Sequence, residues 1–356
     1  MQDIKPVKLP EDNGPHDFFV EWWYFNGHLE DKEGKKYAFM DCFFKINPEK
    51  VNMPHILPHL IEKYIKRGDY MHFSHSVVSD FSEKKTYKDI QHISLISEDS
   101  FKKETLYINY KDPAILNSFS NCEIIEINLN NFYIKNKNLN LYLESEEKPI
   151  LEGGKGYVGT LEAGSYYYSL PLMKARGNLH IDGKEIEVEG KAWMDHQWAN
   201  TVYKKEKWTW FCAQFENGTK AVVVDYQGEG GKSIGVFADI MNKKGDQKNF
   251  KTVDLTHNMK LWKSKETKAK YPMSWKIKIP EENIVIKTKT ILKNQEMVFG
   301  PMNYWEGPIR ATLKNRNKKI VKGLGFMELV GYPANYNYLT ILGKQIKKKI
   351  LERKDT

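Results

Sequence analysis

Residues Gly190-Lys-Ala-Trp-Met-Asp-His-Gln-Trp198 set a carboxylate and an imidazole side by side between two indoles. Aromatic surroundings solvate charge poorly, so the Asp195 carboxyl is expected to titrate above the usual carboxylate range. An acid that keeps its proton near neutrality is what general-acid chemistry needs. His196 is placed to orient Asp195 or a water. Strict strand alternation puts Asp195 on the face of Trp193 but also of Lys191, Glu189 and Glu187, which reads as solvated. Gly190 is a position where a bulge would reset that register.

The elements that must carry this stretch read as strands. Aromatic and β-branched runs alternate with polar residues over Val20–Leu29, Lys36–Phe44, Glu123–Leu129, Asn138–Glu144, Trp208–Phe215, Ala221–Tyr226 and Asn283–Leu292. Glu33-Gly34, Asp182-Gly183 and Asn217-Gly218 are turn signals. In Pro54–Gly68 the apolar residues recur at helical spacing and predict one short amphipathic helix, packed on a sheet or lying as a lid over a cavity mouth. Glu152-Gly-Gly-Lys-Gly156 lacks the end of a phosphate-binding loop and reads as a mobile connection. No Gly-x-Ser-x-Gly hydrolase elbow is present.

The two halves echo each other. Trp22, Trp23 and Phe25 lead to Gly34 and Asp41; Trp208, Trp210 and Phe211 lead to Gly218 and Asp225, with Gly and Asp both offset by 184 positions. Gly190-Lys-Ala-Trp-Met-Asp195 then aligns with Gly323-Leu-Gly-Phe-Met-Glu328. A duplicated all-β unit follows, with domains at 1–198 and 199–356. Closing each antiparallel sheet into a barrel removes its edges and leaves room for one small ligand.

Composition narrows the class. A chain of 356 residues suits two domains, and 40% hydrophobic content is enough to give each a core. Cys42, Cys122 and Cys212 are too few and too scattered for a disulfide framework or a thiolate metal site, and read as buried apolar thiols. The net charge of +9 comes from dispersed lysines, which argues against a nucleic-acid partner. Lys347-Lys348-Lys349 with Arg353 and Lys354 predict a C-terminal helix with a basic face, solvated or touching an anionic membrane surface. With no apolar run of about 18 residues and no signal-peptide pattern at Met1–His16, the expected location is cytoplasmic or peripheral to a membrane.

Five segments carry a family resemblance: Glu21-Trp-Trp-Tyr-Phe-Asn-Gly-His-Leu29, His75-Ser-Val-Val-Ser-Asp80, Ser165-Tyr-Tyr-Tyr-Ser169, Ala192–Trp198 and Gly325-Phe-Met-Glu-Leu-Val-Gly-Tyr332. Over about residues 16–340 the chain resembles the AttH-type lipocalin-like proteins, which include the carotenoid hydratase hydroxyneurosporene synthase. The resemblance implies two tandem lipocalin-like barrels, a hydrophobic ligand and, in the hydratase branch, cofactor-free addition of water to an isoprenoid double bond. Ala199 stands where the family pattern has glycine.

Hydrating an alkene needs a proton delivered to carbon, aromatic faces near the cation and one placed water. Asp195 matches the aspartate of the family motif and is the expected catalytic acid, with His196 beside it. The expected substrate-binding set is Trp22, Trp23, Tyr24, His75, Tyr166, Tyr168, Trp193, Gln197 and Trp198. Tyr166 and Tyr168 share one strand face and Tyr167 takes the other, so at most one side lines a cavity. Glu21 reads as a strand-end carboxylate bonded to a neighbour. His72 and His75 point to opposite faces, a poor spacing for one metal, and neither metal nor cofactor is expected. A non-catalytic lipid or polyene carrier and a cyclase or isomerase that folds its substrate stay open as alternatives.

Overall fold

The computed structural model describes residues 4–47, 50, 70–96, 106–110, 122–159, 164–200, 207–228, 232–299, 302–316 and 319–352. The helix expected over Pro54–Gly68 lies outside them, as does the Cys122 side chain. Cys42 and Cys212 are free and buried.

The first half forms twelve strands: β1 (Val20–Asp31), β2 (Lys36–Ile46), β3 (Tyr70–Asp80), β4 (Lys85–Ile96), β5 (Tyr107–Tyr110), β6 (Cys122–Asn128), β7 (Asn131–Lys135), β8 (Leu139–Ser145), β9 (Ile150–Leu151), β10 (Tyr157–Gly159), β11 (Gly164–Ile181) and β12 (Lys184–Ala199). Their order is β4-β3-β2-β1-β12-β11-β8-β7-β6-β5, with β9 and β10 also on β11. The second half continues with β13 (Lys207–Phe215), β14 (Lys220–Gln227), β15 (Ser233–Met241), β16 (Gln247–Phe250), β17 (Asp254–His257), β18 (Leu261–Lys263), β19 (Lys270–Pro272), β20 (Ser274–Ile279), β21 (Ile284–Thr290), β22 (Glu296–Phe299), β23 (Met302–Lys314) and β24 (Ile320–Val330). Its main sheet runs β16-β15-β14-β13-β24-β23-β21-β20-β17; β22 pairs with β23, and β18 with β19 in a separate ribbon. Hairpins turn where the sequence signals them: Gly34, Gly183 and Gly218 have φ of 79°, 70° and 81°, the left-handed conformation that tight hairpin turns require.

Both sheets are antiparallel and curl. Phe25 on β1 packs edge-on against Phe132 on β7 with centroids 5.4 Å apart, although three strands separate β1 from β7 in the sheet. Phe211 on β13 meets Trp275 on β20 at 5.7 Å across the same number of strands. These are the two curled lipocalin-like half-barrels of the expected all-β fold. Each concave side holds its own apolar cluster, one around Phe25, Phe39 and Leu141 and the other around Phe211, Trp275 and Trp305.

A third cluster joins the outer faces of the two sheets, with Tyr24, Met40 and Trp193 on one side and Trp210, Val222 and Phe326 on the other. Polar contacts cross the same interface. His28 Nε2 lies 3.0 Å from the Gly325 carbonyl, and Gln214 Nε2 donates to the Ala192 carbonyl at 2.8 Å. The expected C-terminal helix, α1 (Tyr338–Glu352), starts at Asn337, whose Oδ1 accepts from the Leu339 N–H at 3.0 Å. It docks through buried Ile341 and through Gln345, which donates to the Val298 carbonyl. No helix among the described residues is long and apolar enough to cross a membrane.

In the structure the glycines of the two halves align two residues away from the sequence echo. A Cβ on Gly190 would stand 2.0 Å from the His28 carbonyl oxygen, and one on Gly325 would stand 1.9 Å from that of Cys212. His28 and Cys212 are separated by the same 184 positions as the hairpin glycines. Gly190 therefore corresponds to Gly325 rather than to Gly323. By strand register, Trp193 opposite Asn26 corresponds to Glu328 opposite Trp210, and Asp195 to Val330. A two-residue slip leaves every side chain on its own face, so the hydrophobic pattern alone does not distinguish the two alignments.

Candidate functional site

Three long strands position Asp195. The β1–β12 register runs unbroken from Val20↔Ala199 to Asp31↔Val188, so Gly190 hosts no bulge and alternation holds along β12. Lys191 is exposed, while Trp193, Asp195 and Gln197 on the same face are buried. The face that reads as solvated from Glu187 to Lys191 is covered further along, where the second sheet packs on it.

The Asp195 carboxyl, 3% exposed, sits among fixed donors. Trp193 Nε1 donates to Oδ1 at 2.6 Å, Tyr167 OH donates to Oδ2 at 2.9 Å, and Ser169 Oγ lies 2.5 Å from Oδ1. Trp210 Nε1, from the second sheet, donates to the Tyr167 oxygen at 2.8 Å and so commits the phenolic proton to Asp195. Burial raises the Asp195 pKa to about 7 against the opposing pull of these three hydrogen bonds.

Other carboxyls, buried at Glu152 and Glu306 and half-buried at Glu328, share the interface. Glu152 contacts Ser169 Oγ from the other side. Burial, with the charges of Asp195 and Asp239, pushes Glu152 well above the usual carboxylate range. Burial raises Glu328 to about 7 although Trp208 Nε1 donates to it at 2.8 Å, and the Asp195 charge adds to the rise. Glu306, next to the Tyr24 hydroxyl, is pushed well up by burial and by Glu328. A low-dielectric seam that gathers acids in this way holds protons at neutral pH.

His196 faces the opposite way, into the concave side of the first sheet. Its Nε2 lies 2.8 Å from Glu21 Oε1. Glu21 is fully buried and also meets His16 Nδ1 at 2.8 Å and Lys45 Nζ at 2.9 Å. Burial alone would raise Glu21, but the Lys45 ammonium and the two imidazole hydrogen bonds outweigh it and hold the carboxyl far below its usual range. Burial lowers His196 to about 4, so its ring is neutral near pH 7. The role of orienting Asp195 does not fall to His196: period-two geometry sends neighbouring side chains to opposite faces. Tyr167 and Ser169 hold Asp195 instead.

The remaining expected residues divide between these two environments. Tyr24, Trp193, Gln197 and His75 lie in the interface; Gln197 Nε2 donates to Ser165 Oγ at 2.5 Å, and His75 Nδ1 is 2.6 Å from Tyr304 OH. Trp22 is half-buried at the edge of the interface cluster. Trp23, Tyr166, Tyr168 and Trp198 belong to the concave side. There Trp23 stacks on His196 at 4.9 Å, Trp198 stacks on His16 at 3.9 Å, and Tyr166 stacks on Trp198 at 5.3 Å. Tyr168 OH donates to Asn13 Oδ1 at 3.0 Å.

Sequence reasoning passed over Tyr167, Ser169, Glu152 and Glu306. Alternation along Ser165–Ser169 does put Tyr167 and Ser169 on one face; choosing between that face and the one of Tyr166 and Tyr168 needed the partner strand. The register supplies it, since Ser169 pairs with Asp195. Glu152 lies in the glycine-rich segment expected to be a mobile connection. It forms instead a short turn, Glu152–Gly154, with the Glu152 side chain buried and the Gly153 N–H donated to Asp239 at 3.0 Å.

His16, Glu21 and His196 present ligand atoms within 4.8 Å of one another, the spacing of a metal site. A divalent cation there would stand beside the Lys45 ammonium on the same carboxylate. The donor set fits an ion pair with two imidazole partners better than a metal.

Comparison with known proteins places the chain in a family and supports its fold. The AttH-like family model matches residues 1–332. The structure of an AttH protein from Nitrosomonas europaea superposes with a TM-score of 0.76 at 24% identity, covering 92% of this chain and 97% of the other. Kievitone hydratase from Nectria haematococca superposes at 0.68 with 17% identity, covering 91% and 93%. In sequence, the chain is 27% identical over 172 residues to the dehydratase asqC of Emericella nidulans, covering 45% of this chain and 48% of that protein, so the match spans about half of the relative's length. The chain belongs to the AttH-like family.

Proposed function

We propose that this protein is a hydratase or dehydratase of a hydrophobic small molecule, an isoprenoid or similar long apolar compound, with Asp195 as the acid. The observation that carries the reading is the Asp195 carboxyl itself: buried between two sheets, oriented by Tyr167, Trp193 and Ser169, and raised to about 7. In hydration the acid protonates one alkene carbon and water captures the cation at the other. In dehydration it protonates the departing hydroxyl and a base removes the neighbouring proton. Both directions use side chains and water alone. Trp193, Trp210 and Tyr24 line the seam beside Asp195, the kind of aromatic surroundings that suit a developing cation. A hydratase among the structural neighbours and a dehydratase among the sequence relatives support the same reaction class.

The reaction class can be tested before the substrate is identified. The protein is incubated in ¹⁸O-labelled water with a panel of apolar alkenes and their tertiary alcohols, and label uptake is followed by mass spectrometry. Enzyme-dependent incorporation that falls at least about 100-fold in Asp195→Asn is expected from the loss of a general acid. Full incorporation by a folded Asp195→Asn protein would end the assignment.

A further inference from the structure

The net charge of +9 is dispersed along the sequence, but strand pairing gathers part of it on one surface. The outer face of the second sheet continues past its contact with the first sheet onto β20, β21 and the far ends of β23 and β24. On β20 that face carries Lys276 and Lys278, because Trp275, Ile277 and Ile279 alternate with them into the concave core. The same alternation places Lys287 and Lys289 on β21, Arg310 and Lys314 on β23, and Lys322 on β24, all exposed. Register sets Lys276 opposite Lys287 and Lys289 opposite Arg310. Like charges directly opposite each other weaken a sheet, so this arrangement does not serve the fold. No acid stands on the uncovered part of these four strands on that face. Asp254 and Glu216 lie at its rim, beside Lys278 and Lys322, and Glu282 is engaged by Lys248 and Arg316.

Apolar side chains edge the same face. Ile320 and Leu324, on either side of Lys322, are 65% and 41% exposed. Leu324 pairs in register with Arg310 and lines a small cleft between the two sheets with His28, Lys191 and Trp193. Trp193 donates to Asp195, so the basic face runs up to the seam that holds the acid.

We propose that this basic face docks the protein on an anionic lipid bilayer, with Ile320 and Leu324 entering the headgroup layer and the seam held next to the membrane. Charge complementarity names the partner: clustered lysine and arginine beside exposed aliphatic side chains bind acidic headgroups. A convex sheet face meets a broad layer of headgroups. It has neither the groove nor the exposed aromatic platforms by which a nucleic acid strand is held. An apolar substrate dissolves in a bilayer rather than in water, and a site bordering the membrane receives it without an aqueous crossing. That last link rests on the hydrophobic substrate proposed above; the docking itself does not.

Sedimentation of the full-length protein with lipid vesicles tests this. The protein should pellet with vesicles of equal parts phosphatidylcholine and phosphatidylserine, stay in solution with phosphatidylcholine alone, and be released by high salt. Lys276→Gln/Lys287→Gln/Lys289→Gln should weaken partition about 100-fold, at about fivefold per cation. Its thermal stability should not fall, because two like-charge pairs are relieved. Lys35→Gln/Lys135→Gln/Lys184→Gln removes the same charge from exposed positions of the first half and should weaken partition less than about threefold, since charges beyond about 10 Å from the lipid are screened. Ile320→Ser should weaken binding while keeping its salt dependence. Equal losses in the two triple variants, no binding to the acidic vesicles, or tighter binding of this face to a single-stranded oligonucleotide than to the vesicles would overturn the docking. No turnover is measured, so failure here leaves the hydratase or dehydratase assignment standing, and full turnover by Asp195→Asn would leave the docking standing.

Discussion

Asp195 and His196 are consecutive residues that never meet: the Asp195 carboxyl accepts from Tyr167 OH at 2.9 Å on the outer face of the first sheet, while His196 Nε2 reaches Glu21 at 2.8 Å on the concave face. One strand therefore serves two electrostatic environments. Outside it lines a seam of carboxyls raised by burial; inside it borders a buried ion pair whose carboxylate stays charged. The acid belongs to the contact between the two half-barrels, and Trp210 of the second sheet helps fix its orientation.

Tyr167→Phe tests that control of the acid. It removes one donor to the anion, so the Asp195 pKa should rise above its value of about 7. It also leaves the Trp210 N–H without its acceptor, at a cost of about 1–3 kcal/mol. Carbon-13 NMR of the Asp195 carboxyl through a pH titration measures the first effect and chemical denaturation the second. An unchanged or lower pKa would show that the phenol does not hold the carboxylate.

Glu328→Gln tests the acidic seam through stability. The folded value of Glu328 is raised from 4.5 to about 7. Its contribution to stability is thus fully present below about 4.5 and is lost as pH rises through about 7, because the unfolded chain releases its proton first. Glutamine has no proton to lose. The variant should match the parent near pH 4 and exceed it near pH 8, by an amount on the order of 3 kcal/mol. Thermal unfolding at the two pH values decides; an equal gap at both would contradict a raised carboxyl.

Much of this was legible in the sequence, and the rest was lost for identifiable reasons. Strands, hairpin glycines and the terminal helix follow from local pattern, and Glu21/Trp23 against Trp22/Tyr24 divides correctly by alternation. The burial of Asp195 was not legible, because Glu187 to Lys191 are solvated on the same face and the covering sheet is distant in sequence. Glu21 looked like an ordinary strand-end acid since its partners Lys45 and His196 lie 24 and 175 positions away. Glu152 gave no signal at all: a turn has no period from which a buried side chain can be read.

The Glu21–Lys45 pair should show the energetics of a buried ion pair. Glu21→Gln takes a carboxylate away from the buried Lys45 ammonium, costing about 3–5 kcal/mol. Lys45→Met alone strands the Glu21 charge between two imidazoles and should raise its pKa, since Lys45 is the strongest influence holding it down. The double variant should be less destabilised than the sum of the singles. Urea unfolding of all four proteins gives the coupling energy, and simple additivity would deny the pair any direct interaction.

Gly190→Ala and Gly325→Ala test the duplicated frame. Each adds a methyl within about 2 Å of a carbonyl oxygen on the neighbouring strand, against backbone that has no rotamer with which to escape. Overpacking of this kind costs about 3 kcal/mol or more, because two long strands must part locally. Gly235→Ala is the control: its Cβ would meet nothing within 4 Å, so stability should move by less than about 0.5 kcal/mol. Since Gly190 opposes β1 as Gly325 opposes β13, the two losses should be similar in size. Gly323→Ala offers the sharper comparison: its Cβ would stand 2.6 Å from the Gln214 carbonyl oxygen, against 1.9 Å from that of Cys212 at Gly325, and its other close neighbour is the Phe215 ring, which can turn aside. A loss at Gly323 equal to that at Gly325 would return Gly190 to its other partner and undo the two-residue shift.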